Sequence, residues 1–200
     1  MKFSIIAGSH RNNSQSGKVA RFIEKQLKTQ GHESFLYDLA ANPLPFWDES
    51  IWSGAEKWKE IWGPISKELE SSDGAIFIAP EWGGMVPAGL KNFFLLIGKE
   101  LAHKPSVIVG VSASRGGAYP IAELRQSSYK NSFICHIPDH VIVRNVEKVL
   151  NGDQSESDDD SFIREKIDNS LKVLALYAEG LKIVQKSEVI DFKKYPFGMS

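Results

Sequence analysis

Apolar residues in this 200-residue chain fall into two kinds of run, some short and nearly continuous, others spaced at three and four residues. The two kinds alternate, and Gly, Pro, Ser or Asn punctuates each junction. Lys2 to Gly8 reads as a buried strand. From Ser16 to about Gln30, Val19, Phe22, Ile23 and Leu27 recur at helical spacing, and Gly31 supplies a stop. Ser34 to Leu39 alternates Phe35, Tyr37 and Leu39 as a second strand, followed by the Pro-rich loop NPLPFWDE. Between Gly54 and Ser71 the spacing of Trp58, Ile61, Trp62, Ile65 and Leu69 is helical. Gly63 and Pro64 divide it into two short helices, with Pro64 in the first turn of the second.

Gly74 to Ala79 is a third strand, and Pro80 to Val86 a loop. Pro87 opens a helix with Leu90, Phe93, Phe94, Ile97 and Leu101 on one face. Ser106 to Ala113 gives a fourth strand, SRGGAYP a glycine loop, Ile121 to Lys130 a helix and His140 to Asn145 a fifth strand. The acidic loop NGDQSESDDD precedes a long helix from Phe162 to about Lys186. Alternation of this kind predicts an α/β fold, a parallel sheet with helices on both faces. Such sheets bind ligands outside the carboxyl ends of their strands. Three Gly/Ser-rich strand-to-helix loops share that edge: 8 to 16, 80 to 86 and 112 to 119.

The first of these, GSHRNNSQS, fits either a solvated turn or an anion cradle. A P-loop is excluded, because Gly17 and Lys18 precede Val19 instead of Ser or Thr, and Asn12 stands where the first glycine belongs. A dinucleotide fingerprint is excluded too, since one glycine among bulky neighbours gives a pyrophosphate no close backbone approach. What remains suits a terminal phosphate: N–H groups at the start of a helix, the hydroxyls of Ser9, Ser14 and Ser16, and the charge of Arg11. His10 lies in the same loop, either adding a hydrogen bond or facing solvent.

Composition narrows the classes further. With 42% hydrophobic residues, 24% charged residues and a formal charge of -1, the chain has no electrostatic footprint for nucleic acid or membranes. Cys135 is the only cysteine, which rules out an internal disulfide and reads as a structural thiol in a reducing compartment, the cytoplasm by default. No run is long enough to span a membrane. The five histidines share no ligand spacing. Asp158, Asp159 and Asp160 read as helix N-terminal charges, so no metal is expected.

The segments GSHRNNS, APEWGGMVPAGLKN and SASRGG together resemble the NADPH-dependent FMN reductase family, whose pattern is GSxRxxS, PEYNxSxPxxLKN and a Ser/Gly-rich loop after strand four. The likeness covers about residues 3 to 145. It implies a flavodoxin-like three-layer sandwich with a five-stranded parallel sheet in the order 2-1-3-4-5. Chain length and composition suit a single domain, which with this resemblance becomes one FMN-binding domain over residues 1–186; 187–200 reads as a tail whose aromatics pack on the body or on a partner. Carried over, Ser9, Arg11, Ser14 and Ser16 hold the FMN phosphate. Pro80, Glu81, Trp82 and Gly83 border the isoalloxazine, and Ser112, Arg115, Gly116 and Gly117 close its other side. Arg115 is either a contact for the dinucleotide's phosphates or an exposed loop charge; Leu90, Lys91 and Asn92 match the family too, but as the start of a helix they read as packing and loop-anchoring residues. The implied activity passes hydride from NAD(P)H through FMN to a small acceptor such as a flavin, quinone or azo compound. The implied assembly is a homodimer with flavin sites near the subunit boundary, where the tryptophans at 47, 52, 58 and 62 are expected. Trp82-Gly83, Met85 and Leu95 depart from the pattern, which keeps open a flavin-free binding protein on the same fold; the other alternative, a flavodoxin-like electron carrier, has the near-neutral charge against it.

Overall fold

The computed structural model describes residues 1–197. Its sheet contains β1 (Lys2–Ala7), β2 (Glu33–Asp38), β3 (Gly74–Pro80), β4 (Pro105–Val111) and β5 (Cys135–Val143), ordered β2-β1-β3-β4-β5. Every neighbouring pair is parallel. This is the flavodoxin-like arrangement expected from the resemblance.

Because successive strand residues point to opposite faces, the sheet builds two cores. Phe3, Ile5, Ala7, Ile76, Ile78, Val107 and Val109 pack under α1 (Gln15–Thr29) and α6 (Asp158–Gln185). Ile6, Ala75, Phe77, Ala79 and Ile108 pack on the other side. That face is covered by α2 (Glu56–Ile61), α3 (Gly63–Glu70), α4 (Ala88–Leu96) and α5 (Ala118–Gln126). Phe3, Phe77 and Phe93 are fully buried, and each side chain of this size contributes about 1.5–3 kcal/mol.

Pro64 sits in the first turn of α3 as the sequence predicts. Several boundaries differ, among them the end of α5, at Gln126 instead of Lys130. β5 starts at Cys135 instead of His140, since Ser106 pairs with His136 but Ile108 with His140, leaving a bulge around Pro138. Proline is tolerated at such a bulge on an edge strand, and Arg125 Nη2 donates to the freed carbonyls of Ile137 (2.7 Å) and Asp139 (3.1 Å). α4 stops at Leu96, where Ile97 turns extended ahead of Gly98. α5 begins at Ala118, three residues earlier than expected, with Gly117 as its left-handed N-cap. α6 begins at Asp158, because the Ser157 side chain accepts from Asp160 N and starts the helix inside the acidic run. In the tail, Phe192 packs on His103 and Phe133, whereas Tyr195 and Phe197 are exposed. Residues 198–200 of the expected tail lie outside the described residues.

Candidate functional site

The loop between β1 and α1 is built around one close approach. Gly8 N donates to Ile78 O (2.8 Å), and a Cβ at position 8 would stand 2.6 Å from that oxygen and 2.6 Å from Leu90 Cδ2. Only glycine lets the loop lie against β3. Ser9 is buried, its Oγ accepting from Arg11 N (3.3 Å), while Arg11 itself is exposed. Ser14 caps α1, its Oγ accepting from Gly17 N (2.9 Å). Ser16, in the first turn, has a buried hydroxyl with no hydrogen-bond partner among the described residues. A buried orphan hydroxyl is costly unless something completes it. The first turn of α1 carries no acidic residue, so the helix presents free N–H groups and its positive dipole end to that place. Asp38 stands nearby, its Oδ1 accepting from Ala40 N (3.0 Å).

Lys18 points elsewhere. Its Nζ donates to Val146 O (2.5 Å), Val149 O (2.8 Å) and Asn151 Oδ1 (2.8 Å), bracing the segment after β5. Burial pushes its pKa down, against the pull of Asp160 and Glu147. This lysine is a structural clamp.

After β3 the chain makes a tight hairpin. Trp82 N donates to Met85 O (3.1 Å) and Met85 N to Trp82 O (3.0 Å), around Gly83 and Gly84 at φ 57° and 75°. Two successive positive φ values define a type I′ turn, which explains a glycine pair here. Below it, Val86 N donates to Glu123 Oε2 (2.7 Å), and the other oxygen of Glu123 pairs with Lys91. Burial raises the Glu123 pKa, but the Lys91 ammonium and the Val86 N–H outweigh it and hold the carboxyl below its usual range. Asn92, buried, accepts from Trp47 N (2.7 Å) and donates to Pro45 O (2.8 Å). Lys91 and Asn92 therefore anchor loops, as the sequence suggests.

The loop after β4 is folded on its own hydroxyls. Ser114 N donates to Ser112 Oγ (3.2 Å) and Arg115 N to Ser114 Oγ (2.6 Å). Gly117, at φ 99°, donates its N–H to Glu81 Oε2 (2.6 Å). Arg144, just past β5, donates from Nε to Gly116 O (3.2 Å). Two contacts join the three loops into one surface: His10 meets Trp82 edge to face at 4.5 Å between centroids, and Glu81 holds Gly117. Glu123, Arg144 and the Glu81–Gly117 bond escape sequence reasoning, because each partner is distant in the chain. Pro80 ends β3 in register with Val111, at the same edge of the sheet.

The tryptophan cluster divides. Trp58 and Trp62 are core residues, their Nε1 groups donating to Ser50 Oγ (3.0 Å) and Glu100 Oε1 (3.0 Å). This corrects the expectation that all four stand at a boundary: helical spacing across α2 and its C-cap turns Trp58 and Trp62 inward. Trp52 is 79% exposed and meets half-buried Trp47 edge to face.

The sequence profile of the NADPH-dependent FMN reductase family matches residues 1–148. A quinone reductase of Pseudomonas putida is 28% identical over 121 residues, spanning 58% of this chain and 62% of that protein. An FMN-dependent NADPH-azoreductase of Staphylococcus aureus is 28% identical over 127 residues, or 62% of this chain and 68% of its own. Among solved structures, the flavoenzyme NAD(P)H:acceptor oxidoreductase FerB of Paracoccus denitrificans superposes with a TM-score of 0.70 at 18% identity, covering 90% of this chain and 97% of that one. The fold is thus flavodoxin-like. The chain belongs to the NADPH-dependent FMN reductase family.

Proposed function

We propose that residues 1–186 form one FMN-binding domain that takes hydride from NAD(P)H and reduces a small acceptor of the quinone, azo or flavin type. The observation that carries this reading is the loop surface at the carboxyl edge of β1, β3 and β4, with the unbonded Ser16 hydroxyl buried at the start of α1. Backbone donors, hydroxyls and Arg11 match the chemistry of a terminal phosphate. Ser9, Arg11, Ser14 and Ser16 would hold it. Pro80, Glu81, Trp82 and Gly83 would border the ring on one side, with Ser112, Arg115, Gly116 and Gly117 on the other. When bound, FMN supplies the two-electron acceptor and donor chemistry, and the protein supplies orientation and electrostatics.

Names of relatives support the acceptor class, a quinone in one and an azo compound in the other. The near-neutral charge of -1 argues against a carrier that docks on basic protein partners. Phe46, Trp52, Met85 and Tyr119, all exposed, favour a second copy over this edge as a homodimer. Cys135, free and half-buried, suits the cytoplasm.

The test is spectral. Purified protein titrated with FMN should turn yellow, and anaerobic NADPH should bleach it. Reduction by dithionite alone would favour the carrier, and no flavin uptake at high micromolar FMN would sink the enzyme reading.

A further inference from the structure

We propose that Glu81 is a positioning residue that sets the shape of the loop after β4, acting on any bound flavin through Gly116 and Gly117. Glu81 makes three connections. Its N–H donates to Val111 O (2.9 Å), carrying the β3–β4 ladder one residue past Pro80. Its Oε2 accepts from Gly117 N (2.6 Å). Its Oε1 lies so close to Gly116 that a Cβ there would stand at 2.8 Å.

Gly117 is pinned from the other sides as well. A Cβ on Gly110 would fall 2.1 Å from Gly117 O, and a Cβ on Gly117 would fall 2.6 Å from Ile142 Cγ2. Thus β4, β5 and Glu81 meet at one backbone position, held at φ 99° as the N-cap of α5. Glycine at such a φ is free to move unless a bond fixes it, and the carboxylate is that bond. The Gly117 N–H is already engaged, so the donors left to a ligand on this side come from the rest of the loop. The part of this proposal that concerns flavin rests on the function proposed above; the part that concerns the loop does not.

Two variants separate the roles. Glu81→Gln keeps an oxygen acceptor for Gly117 N and removes the charge, whereas Glu81→Ala removes the acceptor. Amide hydrogen exchange of the flavin-free protein should speed up by about tenfold or more at Gly117 in Glu81→Ala and stay within about threefold of wild type in Glu81→Gln, with β1 and β3 amides unchanged in both. FMN titration should show about tenfold weaker binding for Glu81→Ala and rescue by Glu81→Gln. Unchanged Gly117 exchange in Glu81→Ala would overturn the proposal, as would a Glu81→Gln protein that loses FMN affinity as fully as Glu81→Ala. If wild type binds no FMN, the flavin reading fails while the exchange measurement still decides the loop's dependence on Glu81.

Discussion

Gly8 and Arg11 stand three positions apart in one loop and act in opposite ways, the first by having no side chain and the second by having a charged one. In Gly8→Ala the new methyl meets Ile78 O, a backbone atom of a central strand that has little freedom to retreat. Overpacking of this kind costs about 1–3 kcal/mol. Thermal unfolding should therefore occur at lower temperature, and FMN should bind more weakly because the loop is pushed off β3. Arg11→Ala is expected to leave the melting temperature unchanged, since the residue is exposed. Its effect should fall on the phosphate: FMN weakened by about tenfold to a hundredfold and riboflavin hardly at all, as a charge-assisted hydrogen bond implies. Equal losses for the two flavins would remove Arg11 from the phosphate site.

At the scale of elements, α1 combines a structural cap with a proposed anion site, and Ser14 serves both. Its Oγ accepts from Gly17 N, leaving the hydroxyl proton for a ligand oxygen. Ser14→Ala should cost about 1 kcal/mol of stability through the lost cap. Ser14→Asp restores the cap but places a carboxylate against the phosphate, so stability should return in urea unfolding while FMN affinity stays low. Recovery of both would deny the loop its ligand. The β1–loop–α1 unit was legible in sequence because strand, turn residues, cap and helical stripe are local and agree with one another. Only the second half of β5 was: Pro138 and Asp139 break the alternation ahead of His140, and the bulge that accommodates them depends on Arg125 from α5. The start of α5 was hidden for a related reason. No side chain caps it, and Gly117 is fixed instead by Glu81, 36 positions away. Turn composition showed a loop after β3, but the I′ geometry at Gly83 and Gly84 follows from φ values that neighbouring residue types alone do not dictate.

Across the whole molecule, the loops proposed to hold flavin occupy the carboxyl edge of the sheet, and a polar joint of another kind lies near the opposite edge. His136, close to the start of β5, hydrogen-bonds Ser106 Oγ through Nδ1 (2.7 Å) and Ser128 Oγ through Nε2 (2.8 Å). Ser128 gives its own hydroxyl proton to Leu124 O (3.0 Å), so Nε2 is the donor to Ser128 and Nδ1 accepts from Ser106. A neutral imidazole satisfies this arrangement and a protonated one does not. Burial first, and then the nearby Arg125 charge, bring the pKa from 6.5 down to about 4. The unfolded chain therefore binds a proton as pH falls below 6.5, while the native state stays neutral until about 4. Stability must fall with pH across that window, by about 3 kcal/mol if the whole shift is realised. Glu123, Asp139 and Asp160, whose carboxyls are held low by their partners, add losses as pH drops through the carboxylate range. His136→Gln keeps a donor and an acceptor without titrating. Urea unfolding of wild type and variant at a series of pH values between 7 and 4 should give curves that converge as the pH falls, the variant starting lower and losing less. Parallel curves would mean that folding leaves the His136 pKa where it is in the unfolded chain, and a wild type that gains on the variant as pH falls would mean that folding raises it; either result would overturn the neutral, buried imidazole.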